Sequence, residues 1–89
     1  MDTYRHTLPP QVASDFHAAR LASLWSLTSL AAEVGISRGY LIRIQNGTRA
    51  PSSTVAMRLV DALDLDPEYG LGADLIEHSI SGVGHDRWN

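Results

Sequence analysis

Three arginines lie close together in a stretch of the chain that contains no acidic residue. They are Arg38, Arg43 and Arg49, within residues 35–51, whereas the formal net charge of the 89-residue chain is -3. Guanidinium groups donate hydrogen bonds to phosphates and to the guanine edge in nucleic acid. Near charges count more than distant, screened ones, so an acidic protein can still present a positive face. The stretch therefore indicates contact with a polyanion.

The other reactive side chains are not spaced for catalysis or metal binding. His6 and His17 stand apart, His78 and His85 are seven residues apart, and the acidic residues at 64–68 are best interpreted as a solvated group. Cysteine is absent, which excludes disulfides and thiolate zinc sites. No Gly-rich phosphate loop or nucleophile elbow is present. We expect no enzyme activity, no bound metal and no cofactor.

Length and composition favour one small cytoplasmic domain. With 89 residues, of which 44% are hydrophobic, the chain has room for a single core. No apolar run approaches the length of a membrane span, and the N-terminus lacks the basic and apolar layout of a secretory signal. We therefore expect a cytoplasmic protein without a membrane partner.

Helical periodicity and capping residues divide the chain into three parts. Residues 1–9 are expected to form a mobile N-terminal arm, residues 10–68 a helical domain, and residues 69–89 a C-terminal extension. The helices of the domain are expected to start near or after turn and capping residues: near Gln11, after Ser26, after Ser37 and after Ser52.

Two of these helices are expected to form a helix-turn-helix. The first of the pair ends at Gly35, which suits a positive φ, and Ser37 can cap the next helix over 38–45. Ala31 is small at the point where the two helices approach closely. This arrangement holds the helices at a fixed angle, so that the second one protrudes.

In this region the chain resembles the Cro/XRE-type (lambda-repressor-like) helix-turn-helix regulators. The resemblance runs from about Phe16 to Leu65 and is carried by "LAAEVGIS", "YLIRIQNGTRAPS" and "LVDALDLD". It implies an all-α fold, a compact bundle of about five helices. It also implies a sequence-specific transcriptional regulator, most simply a repressor, that reads the major groove of double-stranded DNA with helix 38–45 and acts as a homodimer.

The resemblance also implies which residues meet DNA. The family's base-reading positions fall on Arg38, Gly39 and Arg43. Its backbone-contacting positions fall on Ser37, Tyr40, Asn46, Thr48 and Arg49. Arginine at a base-reading position predicts guanine in the half-site. As alternatives, Arg38 and Arg43 could form only a solvated positive face or bind phosphates, and Asn46 and Gly47 could serve the turn.

Three residues depart from the family pattern. Leu27 stands where glutamine commonly meets the DNA backbone, and it cannot make that contact. Gln45 stands where many members have a glutamate that pairs with the residue at Arg20, so a charged-to-neutral hydrogen bond is expected instead. Gly39 offers no side chain for base reading, and it either allows close backbone approach or relaxes specificity.

Three further side chains receive separate interpretations. By helical phase Ile42 points outward, where it could meet a thymine methyl, be covered by the tail, or simply be exposed. Arg58 is interpreted as an ordinary exposed charge on the fourth helix, and Trp25 as a core residue between the first two helices.

The C-terminal extension is open in structure, since residues 71–80 could form a short helix or a strand. Its apolar residues have no obvious burial site in the domain and are candidates for pairing subunits: Leu71, Leu75, Ile76 and Ile80. An alternative function is a protein-interaction module, such as an antitoxin or accessory factor, with secondary or lost DNA binding. The negative charge, Leu27 and Gly39 motivate that alternative, with a protein partner bound through the extension.

Overall fold

Five helices follow one another in the computed structural model, which describes residues 7–80. They are α1 (Pro10–Ala22), α2 (Leu27–Val34), α3 (Arg38–Asn46), α4 (Ser53–Ala62) and α5 (Gly70–Glu77). The all-α bundle of about five helices is thus confirmed. Within residues 7–80, extended pairing is confined to an isolated parallel bridge between Ser52 and Ile80.

Local sequence explains where the middle helices begin. The side chains of Ser26, Ser37 and Ser52 each accept a hydrogen bond from the backbone N–H three residues further on. Each cap satisfies one of the free N–H groups of a helix start and stabilises the helix by about 0.5–2 kcal/mol.

Glycines explain where α2 and α3 end. Gly35 and Gly47 adopt φ values of 77° and 80°, the left-handed conformation that closes a helix at least cost when there is no Cβ. α3 therefore runs one residue beyond the predicted 38–45 and includes Asn46.

The core lies where the helices converge. α1 packs against α3 and α5, α2 packs against α3 and α4, and α4 packs against α5. The largest fully buried side chains come from all five helices and the loop before α4: Phe16, Leu30, Val34, Leu41, Ile44, Pro51, Leu59 and Leu75. α3 contributes Leu41 and Ile44 to the core from one side of the helix, so its opposite side faces outward.

The N-terminal segment is anchored at Leu8. This side chain is 3% exposed and belongs to the core, and its backbone N–H donates to the carbonyl of Gly47 at 3.1 Å. The mobile arm predicted for residues 1–9 is therefore wrong at Leu8, because an apolar side chain there fills space beside the loop after α3. The expectation for residues 1–6 lies outside the described residues.

Removing the Leu8 side chain is expected to destabilise the fold by about 2 kcal/mol, since a Leu→Ala change in a core loses burial and leaves a cavity. Leu24 is a matched control because it is 91% exposed, so Leu24→Ala is expected to change stability by less than about 0.5 kcal/mol. Urea unfolding followed by circular dichroism measures both. Equal midpoints for Leu8→Ala and Leu24→Ala would show that the arm is not anchored.

The described part of the C-terminal extension packs on the domain. Leu75 is fully buried, and Leu71, Ile76 and Ile80 pack against the core. The backbone of Ile80 donates to the carbonyl of Pro51 and accepts from the N–H of Ser53, both at 2.9 Å. The expectation that these side chains lack a burial site within the chain is wrong, because α5 covers α1 and α4.

Candidate nucleic-acid interface

The outward side of α3 carries the predicted base-reading residues. Leu41 and Ile44 face the core and are fully buried, whereas Arg38, Gly39 and Arg43 are exposed. Neither arginine side chain forms a hydrogen bond or ion pair with any residue of the described range 7–80. Within residues 7–80, therefore, nothing occupies the donors of either guanidinium group.

α3 and the loops that flank it carry charge of one sign. No acidic residue occurs between Glu33 and Asp61, and four arginines lie in that interval: Arg38, Arg43, Arg49 and Arg58. From Asp61 onward, acidic residues are carried by α4, α5 and the segment between them, whereas α3 packs chiefly against α1 and α2. α1 and α2, which pack against α3, carry Asp15 and Glu33, whereas the charged side chains of α3 itself are all cationic.

A buried guanidinium fixes α3 to α1. Arg20 of α1 is 8% exposed, and its Nε donates to Oε1 of Gln45 on α3 at 2.8 Å. Nη1 of Arg20 also donates to the carbonyl of Trp25 at 2.8 Å, and Nε1 of Trp25 donates to the carbonyl of Ala62 at 3.3 Å. The predicted hydrogen bond between a charged and a neutral group is confirmed, and it joins α1, α3 and the end of α4.

The turn between α2 and α3 is supported from α4. Nη1 of Arg58 donates to the carbonyl of Val34 at 3.2 Å, and a Cβ added at Gly35 would lie 3.2 Å from the same nitrogen. Arg58 is exposed, as expected. It is not an ordinary surface charge, because this cation at the C-terminus of α2 satisfies a carbonyl of the last turn and the negative end of the helix dipole. No local pattern signals this contact, since 24 residues separate its two partners.

The loop after α3 folds back onto one carbonyl group. The carbonyl of Arg43 accepts from the N–H of Thr48 at 3.0 Å, the N–H of Arg49 at 3.2 Å and the hydroxyl of Thr48 at 3.2 Å. Both donors of Thr48 are therefore engaged within the protein. The Thr48 hydroxyl could donate to a phosphate only after it breaks its hydrogen bond to the carbonyl of Arg43. The sequence alone does not predict this competing bond.

Tyr40 and Arg49 form a stacked pair beside this loop. The guanidinium carbon of Arg49 lies 5.2 Å from the centroid of the Tyr40 ring, within range of a cation–π interaction. The hydroxyl of Tyr40 accepts from the N–H of Ser52 at 3.1 Å and keeps its own proton free to donate. Nε of Arg49 is buried without a hydrogen-bond partner. Stacking holds the rest of the guanidinium in one place.

Two exposed polar residues mark the ends of α3. The hydroxyl of Ser37 accepts from the N–H of Tyr40 at 3.0 Å and retains its proton as a donor, while Asn46 is exposed in the last turn. Leu27, by contrast, packs against the core at the start of α2. The side chains predicted to contact the DNA backbone thus lie at both ends of α3.

Other kinds of site find little support in the described residues. Between residues 7 and 80, no three His, Cys, Asp or Glu side chains are close enough to hold a metal ion. Across the same residues, none of the helices has both the length and the apolar character needed to cross a membrane.

Comparison with known proteins agrees with this geometry. No curated protein and no solved structure matches the chain. A family model described as helix-turn-helix matches residues 16–70, from Phe16 of α1 to the start of α5. Because that match spans more than half of the chain and contains the α2–turn–α3 unit, the chain belongs to the Cro/C1-type helix-turn-helix family of DNA-binding proteins.

Proposed function

We propose that this protein is a sequence-specific transcriptional regulator, most simply a repressor, that reads the major groove of DNA with α3. The observation that carries the proposal is the pair of exposed arginines, Arg38 and Arg43, which are free of partners within residues 7–80 on a helix whose other side is buried. An α-helix fits the major groove, and a bidentate arginine discriminates guanine from the other bases.

The spacing of Arg38 and Arg43 around α3 supports groove reading. At roughly 100° per residue, Arg38 and Arg43 lie about 140° apart around the helix, with Gly39 between them. A Cβ added at Gly39 would meet nothing within 4 Å, so this glycine leaves open space at the surface. The helix backbone can therefore approach the base edges closely while the two arginines reach to either side.

Backbone contacts at both ends of α3 would set the register of the protein on DNA. Ser37 and Tyr40 each keep a hydroxyl proton available near the start of the helix. Asn46, Thr48 and Arg49 lie at its end, and Arg49 brings a full charge held against the Tyr40 ring. Such contacts position a protein on phosphates but carry no sequence information.

A homodimer completes the proposal, because one recognition helix reads only a few base pairs. Two-fold pairing would place two copies of α3 about 34 Å apart on successive turns of the duplex. Of the extension, Leu75 is committed to the core of its own chain, so subunit contacts would involve other residues of 69–89. Sedimentation of the full chain with and without a selected duplex would measure the stoichiometry.

Selection of bound duplexes from a random pool tests the proposal, followed by alanine variants. Arg38→Ala and Arg43→Ala are each expected to weaken binding to the selected duplex about 5- to 150-fold, because a bidentate base contact is worth 1–3 kcal/mol. Arg49→Ala removes the same charge from a phosphate contact. It is expected to weaken all duplexes alike and to lower the salt slope by about one.

The test of sequence-specific recognition is the difference between the variants at 38 and 43, which lose affinity for the selected duplex, and the variant at 49, which loses affinity for all duplexes. Equal affinity of the wild type for random and selected duplexes would refute sequence-specific recognition. Failure to retard any duplex at low salt, together with recovery of a stable protein partner, would favour the protein-interaction module instead.

A further inference from the structure

Ile42 lies on the outward side of α3, between Arg38 and Arg43 around the helix. Counting roughly 100° per residue from Arg38, Ile42 stands at about 40°, Asn46 at about 80°, Gly39 at about 100° and Arg43 at about 140°. Ile42 is therefore enclosed by the two arginines on the same arc of the helix. It is also the only branched aliphatic residue on that arc.

This isoleucine does not contribute to the core. Leu41 and Ile44 of the same helix are fully buried, whereas Ile42 is partly exposed and does not pack against the core cluster. A single exposed apolar residue is common on protein surfaces and needs no explanation by itself. Its position between two cations that face outward is what makes it informative.

The neighbouring glycine gives Ile42 room to act. Gly39 lies three residues before Ile42, about 60° away around the helix. The space where its Cβ would stand is empty within 4 Å. Because no side chain at 39 holds the helix away from a surface, the short side chain of Ile42 can reach the floor of a groove. An isoleucine there can only make apolar contacts.

We propose that Ile42 recognises thymine through its 5-methyl group and so makes thymine part of the half-site, beside the guanines contacted by Arg38 and Arg43. The inference rests on the proposed function. The thymine methyl is the largest apolar group that a base pair exposes in the major groove, where most of the other groups are hydrogen-bond donors or acceptors. Contact with those polar groups would displace their water without replacing its hydrogen bonds.

Replacement of thymine by deoxyuridine tests this inference, because it removes the methyl and leaves base pairing unchanged. Each thymine of the selected duplex is replaced in turn. At one position in each half-site the wild type is expected to lose affinity about fourfold, the value of one buried methyl group. Ile42→Ala is expected to bind the thymine duplex about fourfold more weakly and to show no further loss on the deoxyuridine duplex. Ile42→Val is expected to retain most of the preference.

The outcomes separate this inference from the proposed function. Suppose that the wild type prefers the selected duplex. The inference about Ile42 is then wrong if removing the methyl has no effect at any position, if the effect persists in Ile42→Ala, or if the selected half-site contains no thymine. None of these three results contradicts the proposed regulator function. If the wild type prefers no duplex, the proposed function fails and the inference fails with it. Unchanged unfolding of Ile42→Ala, expected because the side chain lies outside the core, excludes misfolding as the cause.

Discussion

Gly72→Ala is expected to destabilise the fold by about 3 kcal/mol and to lower the thermal midpoint by more than about 10 °C. Gly72 is buried in the first turn of α5. A Cβ at this position would overlap the carbonyl oxygen of Asp66 and lie 2.8 Å from its carbonyl carbon. The obstructing atoms belong to the backbone, so the overlap is relieved only if α5 moves away from the segment between α4 and α5 that contains Asp66. Thermal unfolding monitored by circular dichroism measures the effect.

Gly39→Ala is the matched control for this prediction. It also places a Cβ on a helical glycine, but at Gly39 there is no atom within 4 Å to meet it. Alanine is favoured over glycine in a helix by about 0.5–1 kcal/mol, so Gly39→Ala is expected to stabilise the protein slightly. Thermal midpoints that shift alike in the two variants would show that α5 does not pack as closely as described.

Gln45→Leu is expected to destabilise the protein by about 3 kcal/mol, although leucine is hydrophobic and similar in size. The loss arises because Nε of Arg20 would keep its charge in a nearly buried place without its acceptor, while only the bond to Trp25 remains. A hydrogen bond to a charged group contributes about 1.5–3 kcal/mol, and an unsatisfied buried charge adds to the cost of losing it. Urea unfolding of the variant measures the change.

A double-mutant cycle identifies the cause of that loss. Arg20→Met with Gln45→Leu removes the charge together with its partner and keeps an apolar filling. We expect the double variant to be more stable than the sum of the single changes predicts by at least about 1 kcal/mol. Strict additivity would mean that Arg20 and Gln45 do not act as a pair, and that α3 is held to α1 by apolar packing alone.

Features of the fold that depend on neighbouring residues could be predicted from the sequence. Ser26, Ser37 and Ser52 cap helices with their own side chains, and Gly35 ends α2 through its own φ. Such signals act over three or four residues and can be recognised along the chain. The helix-turn-helix and the position of α3 in the sequence were therefore predictable.

Contacts between distant segments were not predictable in the same way. Leu8 pairs with Gly47, Arg58 with Val34, and Ile80 with Pro51, each across more than twenty residues. A sequence pattern does not state which free carbonyl a distant donor will find, since that depends on how the helices are packed. For this reason the end of the arm, the role of Arg58 and the burial of α5 were all missed.

The candidate interface also contains features that the sequence predicts and features that it does not. Exposure of Arg38, Gly39 and Arg43 follows from the helical period once Leu41 and Ile44 are assigned to the core. The state of Thr48 does not follow, because its hydroxyl and N–H both bind the carbonyl of Arg43. Whether a polar side chain is free for a partner depends on bonds that only three-dimensional structure reveals.

The loop after α3 is hydrogen-bonded to the backbone carbonyl of Arg43, and its side chain takes no part in those bonds. Any amino acid at that position supplies the same carbonyl, so exchanging the outward side chains leaves the fastening intact. Under the function proposed above, substitution at 38, 39, 42 and 43 would change the recognised operator and leave this scaffold unaltered. Stability and target choice can then evolve as nearly separate traits.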